Sequence, residues 1–158
     1  MSSTITLPEI LVEEIAKRAS RAGLSVEEYL ADLVFGSMDP DEAAGKYIET
    51  ALHLVEQARE ELSRGDLRQA SEKIWGACAL AIKAHALARR KRRLESHAEL
   101  WVYKNEVAVE IGSWVRIVFK IADSMHRNFY EGLATREDVE DAIEEVEKLV
   151  KAIAEKLK

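Results

Sequence analysis

The chain has a single cysteine, Cys78, so no internal disulfide can form. It falls in the apolar run from Ala77 to Ile82, where a small buried hydrophobe is the expected role, and nothing near it is spaced as a zinc-ligand pair. Proline stands only at positions 8 and 40, and the seven glycines fall mainly where helices should end, which points to long helices. No run approaches the roughly 18 apolar residues of a membrane span, so no membrane role is expected. The start, MSSTITLPE, lacks both a cationic cluster and a long apolar stretch. No secretory signal is read there, and a cytoplasmic protein is expected. Nothing in the chain calls for a cofactor or a metal.

What remains is a 158-residue chain, 47% apolar and 33% charged, with net charge −6. That composition argues against disorder. A globule of this length buries about two-thirds of its unfolded surface without a staple. Residues 1–36 read as one unit. In STITLP, Thr4 and Thr6 alternate with Ile5 and Leu7, as in a short strand. Pro8 then suits a first helical turn, and Ile10, Leu11, Ile15 and Ala19 make a stripe ending at Gly23. Ser25 and Glu28 form a capping box for a second helix through Tyr29, Leu30 and Leu33. Strand, helix, turn, helix is the outline of a ribbon-helix-helix segment and a candidate dimerisation element, because a lone strand leaves its backbone unpaired.

Residues 41–158 read as four further helices. The first spans about 41–64, with Tyr47, Ala51, Val55, Ala58 and Leu62 inward. Gly65 closes it and Asp66 caps the second, about 67–90, whose face is small: Ala70, Ala77, Ala81, Ala84 and Ala88. The third starts near Ser96 and carries Leu100, Val107, Ile111, Trp114, Val118, Ile121 and Met125. The fourth starts at Thr135, with Val139, Ile143, Val146, Val150, Ile153 and Leu157. Steps of three and four residues favour shallow crossings, so the expected fold is all-α, an up-and-down four-helix bundle preceded by a short strand and a helical hairpin. Read as one rod of about 28 residues, the third helix is about 40 Å long and holds His97 and His126 apart.

Three stretches carry possible chemistry. RRKRRLESHAELW places Arg89, Arg90, Arg92 and Arg93 at a helix end, where the macrodipole favours cations and phosphate contact is the alternative. His97 follows, as a capping and packing residue or as a general base. SMHRNFYEG gathers His126, Arg127, Asn128 and Tyr130 at another helix end, as a ligand site or as a packed helix stop. His53 and His85 lie mid-helix, too far apart in sequence to suggest a metal pair.

With GDLRQASEKIWGACALAIKAHA, ESHAELW and MHRNFYEG together, the chain resembles the archaeal PaREP family over about residues 41–155. That family is similar to the HEPN domains (higher eukaryotes and prokaryotes nucleotide-binding). The resemblance implies a HEPN-like bundle, homodimerisation, and a link to nucleotides or RNA. It places Gln69, Ser71, Glu72, Lys73 and Trp75 on the first signature, His97 and Trp101 on the second, and His126, Asn128, Phe129 and Tyr130 on the third. Catalytic HEPN ribonucleases carry an arginine four to six residues before a histidine near the last helix. Here Arg127 has no such histidine, and Arg92 with His97 stands one helix early, so Arg92, His97 and His126 are the catalytic candidates.

The leading expectation is a non-catalytic module that binds a nucleotide, RNA or a nucleotidyltransferase-type partner as a homodimer. A metal-independent ribonuclease of toxin type is the alternative. A DNA-binding regulator is the third reading. Against it, residues 1–36 hold three cations (Lys17, Arg18, Arg21) and six acids (Glu9, Glu13, Glu14, Glu27, Glu28, Asp32), a net of −3.

Overall fold

The computed structural model describes residues 2–158. Among them are seven helices and no strand. Residues 2–8 have no regular structure, so the expected strand at Thr4–Leu7 is not formed. Among the described residues no strand is present to pair with that segment, and an unpaired strand has nothing to hold it.

Helix α1 (Glu9–Arg21) follows Pro8, and α2 (Val26–Phe35) starts at a full capping box. Ser25 Oγ accepts from the Glu28 amide at 3.1 Å, and Glu28 Oε1 accepts from the Ser25 amide at 3.2 Å. Asp39 caps α3 (Pro40–Ser63), with Pro40 in the first turn. Gly65, at φ +80°, makes the tight turn into α4 (Leu67–Arg90), capped by Asp66. Ser96 caps α5 (His97–Ile111) through the Glu99 amide. Helix α6 is Trp114–Glu131, and α7 (Arg136–Lys156) opens on a Thr135–Asp138 capping box.

Helix α4 is the axis of the molecule. Its small residues let α3, α6 and α7 approach closely, and it is buried on nearly every face from Ala70 to Leu87. Helices α3 and α6 also pack on α7, while α5 lies against α4 and α6.

Two features depart from expectation. The third expected helix is two, α5 and α6, broken at Gly112, whose φ of +151° suits glycine alone. Past the break α6 runs back along α5: Asn105 pairs with Arg116, Trp101 with Phe119, and His97 with Asp123. Trp114, expected mid-seam, therefore stands half-exposed in the first turn of α6. Helix α2 also turns acids inward beside its buried Ala31. Glu28 is buried and Asp32 half-buried, both beside Lys83 of α4, while Leu30 and Leu33 face out.

Candidate functional site

The break at Gly112 brings together two histidines from opposite ends of the expected rod. The His97 and His126 rings stack with centroids 6.1 Å apart and 27° between planes. The buried Trp75 indole lies against both, at 5.3 and 5.5 Å, and is fixed edge-on by Phe119. Glycine at 76 lets α2 approach the neighbouring turn: a Cβ there would sit 3.2 Å from Leu54 and 3.5 Å from Ser25 Oγ.

Each histidine has its own carboxylate. His126 Nδ1 is 2.8 Å from Glu72 Oε1 on α4, and His97 Nε2 is 2.8 Å from Asp123 Oδ1 on α6. Trp101 also points its indole N–H at His97 Nε2, from 3.1 Å. One nitrogen cannot donate to Asp123 and accept from Trp101 at once. Of the two, the Trp101 contact has hydrogen-bond geometry with Nε2 as the acceptor, and the Asp123 carboxylate lies beside the same nitrogen. His97 Nδ1 and His126 Nε2 make no hydrogen bond among the described residues. The His97 and His126 side chains are 33% and 17% exposed, so both are within reach of a ligand. Arg127 holds Asp123 at 3.6 Å yet is 68% exposed.

The surrounding carboxylates favour the protonated form of His126. Burial alone would lower the His126 pKa, but the hydrogen bond and charge of Glu72, with Glu28 and Asp123 behind it, carry it above the ordinary 6.5. Glu72 is also pushed up by burial against the pull of His126, so the pair shares a proton to higher pH than a free imidazole holds one. Burial raises Asp123 too, but its bond to His97 and the nearby charges of Arg127 and His126 bring it below the usual aspartate value.

The other expected site residues divide sharply. Asn128 is occupied by the fold: its Nδ2 donates to Ser71 Oγ at 2.9 Å, and its Oδ1 accepts from the Ala134 amide at 2.7 Å. Tyr130 is exposed and sits edge-on to His126 at 5.8 Å. The basic run braces neighbouring elements. Arg89 grips Glu110 through two bonds, at 3.0 and 2.8 Å, and pulls its pKa down to about 2. Arg90 pairs with Glu106, Lys91 with Asp41, and Arg93 donates to the Met38 carbonyl. Arg92 is exposed and makes no ion pair among the described residues, and none with His97 or His126. His85 is buried between Tyr103 and Glu110, and His53 lies beside Glu56.

Asp123 escaped the sequence reading. Its signal was faint: an acid three residues before His126 and four before Arg127, on the same face of a helix. Two open cavities flank the site. One of about 500 Å³ is lined by Arg127 and Asn128, and one of about 390 Å³ lies between the α1–α2 hairpin and the pair Glu72 and Tyr130. Among the described residues no three His, Cys, Asp or Glu side chains are placed to hold a metal ion, and no helix is long and apolar enough to cross a membrane.

No curated protein matches the sequence. A crystal structure of a protein from Sulfolobus solfataricus is similar, with a TM-score of 0.64 and 28% identity, covering 69% of this chain and 97% of that one. The Archaeal PaREP1/PaREP8 family description matches residues 46–150, which hold Glu72, Trp75, His97, Asp123 and His126 and leave out the α1–α2 hairpin. The chain belongs to that family.

Proposed function

We propose that the chain is a HEPN-like bundle that binds the phosphate of a nucleotide or RNA, as a homodimer, at the cleft between the start of α5 and the end of α6. Mutual packing of α3, α4, α6 and α7 supports the four-helix reading, with α5 as an added flank where one long helix was expected. The observation that carries the function is the convergence of His97 and His126, stacked and partly exposed, with Arg127 joined to them through Asp123. Charge-assisted hydrogen bonds to phosphate oxygens suit such a set. The arginines at 89, 90 and 93 are already engaged, and among the described residues Arg92 makes no ion pair. A nucleotidyltransferase-type protein stays as an alternative partner.

A metal-independent ribonuclease is the second reading, favoured by the separate carboxylate behind each imidazole. One histidine would take the proton of a 2′-hydroxyl as it attacks phosphorus. The other would protonate the departing 5′-oxygen, with Arg127 against the non-bridging oxygens.

The test is single-stranded RNA incubated in EDTA with wild type, His97→Ala, His126→Ala and Arg127→Ala. Binding without cleavage, weakened about tenfold or more in each variant, is the expected result. Cleavage abolished by either histidine substitution would establish the enzyme instead. Wild type that neither binds nor cuts contradicts both readings.

A further inference from the structure

Helix α2 is amphipathic the wrong way round for a helix that only closes its own chain. Its inward side carries charge: Glu28 is buried, with Oε2 3.5 Å from Lys83 Nζ, and Asp32 takes the Lys83 ammonium at 2.7 Å and the Tyr47 hydroxyl at 2.6 Å. Glu27 pairs with Lys73 on the same helix of the core. Its outward side is apolar: Val26, Leu30, Leu33 and Val34, the last two each 61% exposed. Of the fourteen exposed large hydrophobic side chains among the described residues, nine lie between Ile5 and Val34. Single exposed leucines need no explanation, but nine apolar side chains exposed within one short appended segment do.

We infer that this face is the dimer interface, with the α1–α2 hairpin of a second copy packed on it about a two-fold axis. The assignment rests on the homodimer proposed above and names its contact surface. Charge selects the occupant. Along α1 the acids Glu9, Glu13 and Glu14 come first and the bases Lys17, Arg18 and Arg21 follow. A two-fold axis that sets two α1 helices antiparallel lays the acidic half of each along the basic half of the other, as an isologous interface requires. The apolar side chains Leu11 and Val12 of α1 and Leu30, Leu33 and Val34 of α2 then close on one another. An anionic lipid surface is the poorer occupant, because six acids outnumber three bases in residues 1–36.

The experiment is sedimentation of the full chain at tens of micromolar, with secondary structure followed by circular dichroism. Wild type is expected at twice the chain mass, and Leu33→Asp/Val34→Asp at the chain mass with helix content unchanged, since both side chains are solvent-facing in the single chain. Val34→Lys alone gives a milder version with the same direction. Glu13→Lys/Glu14→Lys is expected to shift the protein toward monomer, and adding Lys17→Glu/Arg18→Glu to restore the dimer. A dimer untouched by the α2 substitutions removes this interface and leaves the homodimer standing. A monomeric wild type removes both, and flotation of that monomer with neutral phosphatidylcholine vesicles would assign the face to a membrane instead. RNA binding is read separately and is not at stake in any of these results.

Discussion

Trp75→Ala is expected to lower the stability of the chain by about 3–5 kcal/mol, read as a fall in the urea midpoint at unchanged slope. The indole is fully buried, contacts Phe119 edge-on, and supports the faces of His97 and His126. Deleting it leaves a cavity between α4, α5 and α6 that three packed helices cannot close. Trp75→Phe separates packing from polarity. The indole nitrogen is buried without a hydrogen-bond partner among the described residues, so losing that N–H relieves an unmet polar group while most of the ring volume stays. Phenylalanine is therefore expected to recover well over half of the alanine loss. A loss below about 1 kcal/mol for Trp75→Ala would mean that the interior is not packed as described.

Gly112→Val is the second large effect. The backbone at +151° is open to glycine, and a Cβ there would lie 2.7 Å from Trp114 Nε1 and 2.8 Å from its Cδ1. Strain and overpacking together are expected to destabilise by about 2–5 kcal/mol. The near-ultraviolet circular dichroism of Trp114 should change with it, and phosphate binding should fall, because the turn aims α6 back along α5. Gly112→Ala moves every reading the same way by less. A neutral Gly112→Val would show that the turn does not depend on this residue.

The reach of the sequence can be judged from these same residues. Ser25 with Glu28, Asp66, and Thr135 with Asp138 announce helix starts through side chains that act within one turn, and each caps its helix in the structure. The break at Gly112 was hidden because the apolar rhythm crosses it: Val107 and Ile111 lead into Trp114 and Val118 without a change of step. A lone glycine inside such a pattern costs only about 1 kcal/mol and does not by itself end a helix. The site followed from that hidden turn. His97 and His126 were recognisable singly, but their meeting and the role of Asp123 depend on α6 folding back. The reversed face of α2 was equally unreadable, since Glu28 and Asp32 turn inward to meet Lys83, a lysine in the middle of an apolar run.

Protonation gives the site a direction in pH. The His126 pKa lies above the ordinary 6.5, so the cation persists to higher pH than in the unfolded chain. The stability it lends is fully present below pH 6.5 and is lost as pH rises through the raised value. Anion binding should follow the same limb, strongest in mild acid and weakening upward, and His126→Ala should flatten it.

The most direct measurement is the ring resonances of the four histidines by NMR, followed as a short oligouridylate is added in EDTA at pH 6. Binding at the α5–α6 cleft requires His97 and His126 to shift together, with one saturation point, while His53 beside Glu56 and His85 beneath Tyr103 stay in place. Saturable RNA binding that leaves His97 and His126 unmoved would contradict the account.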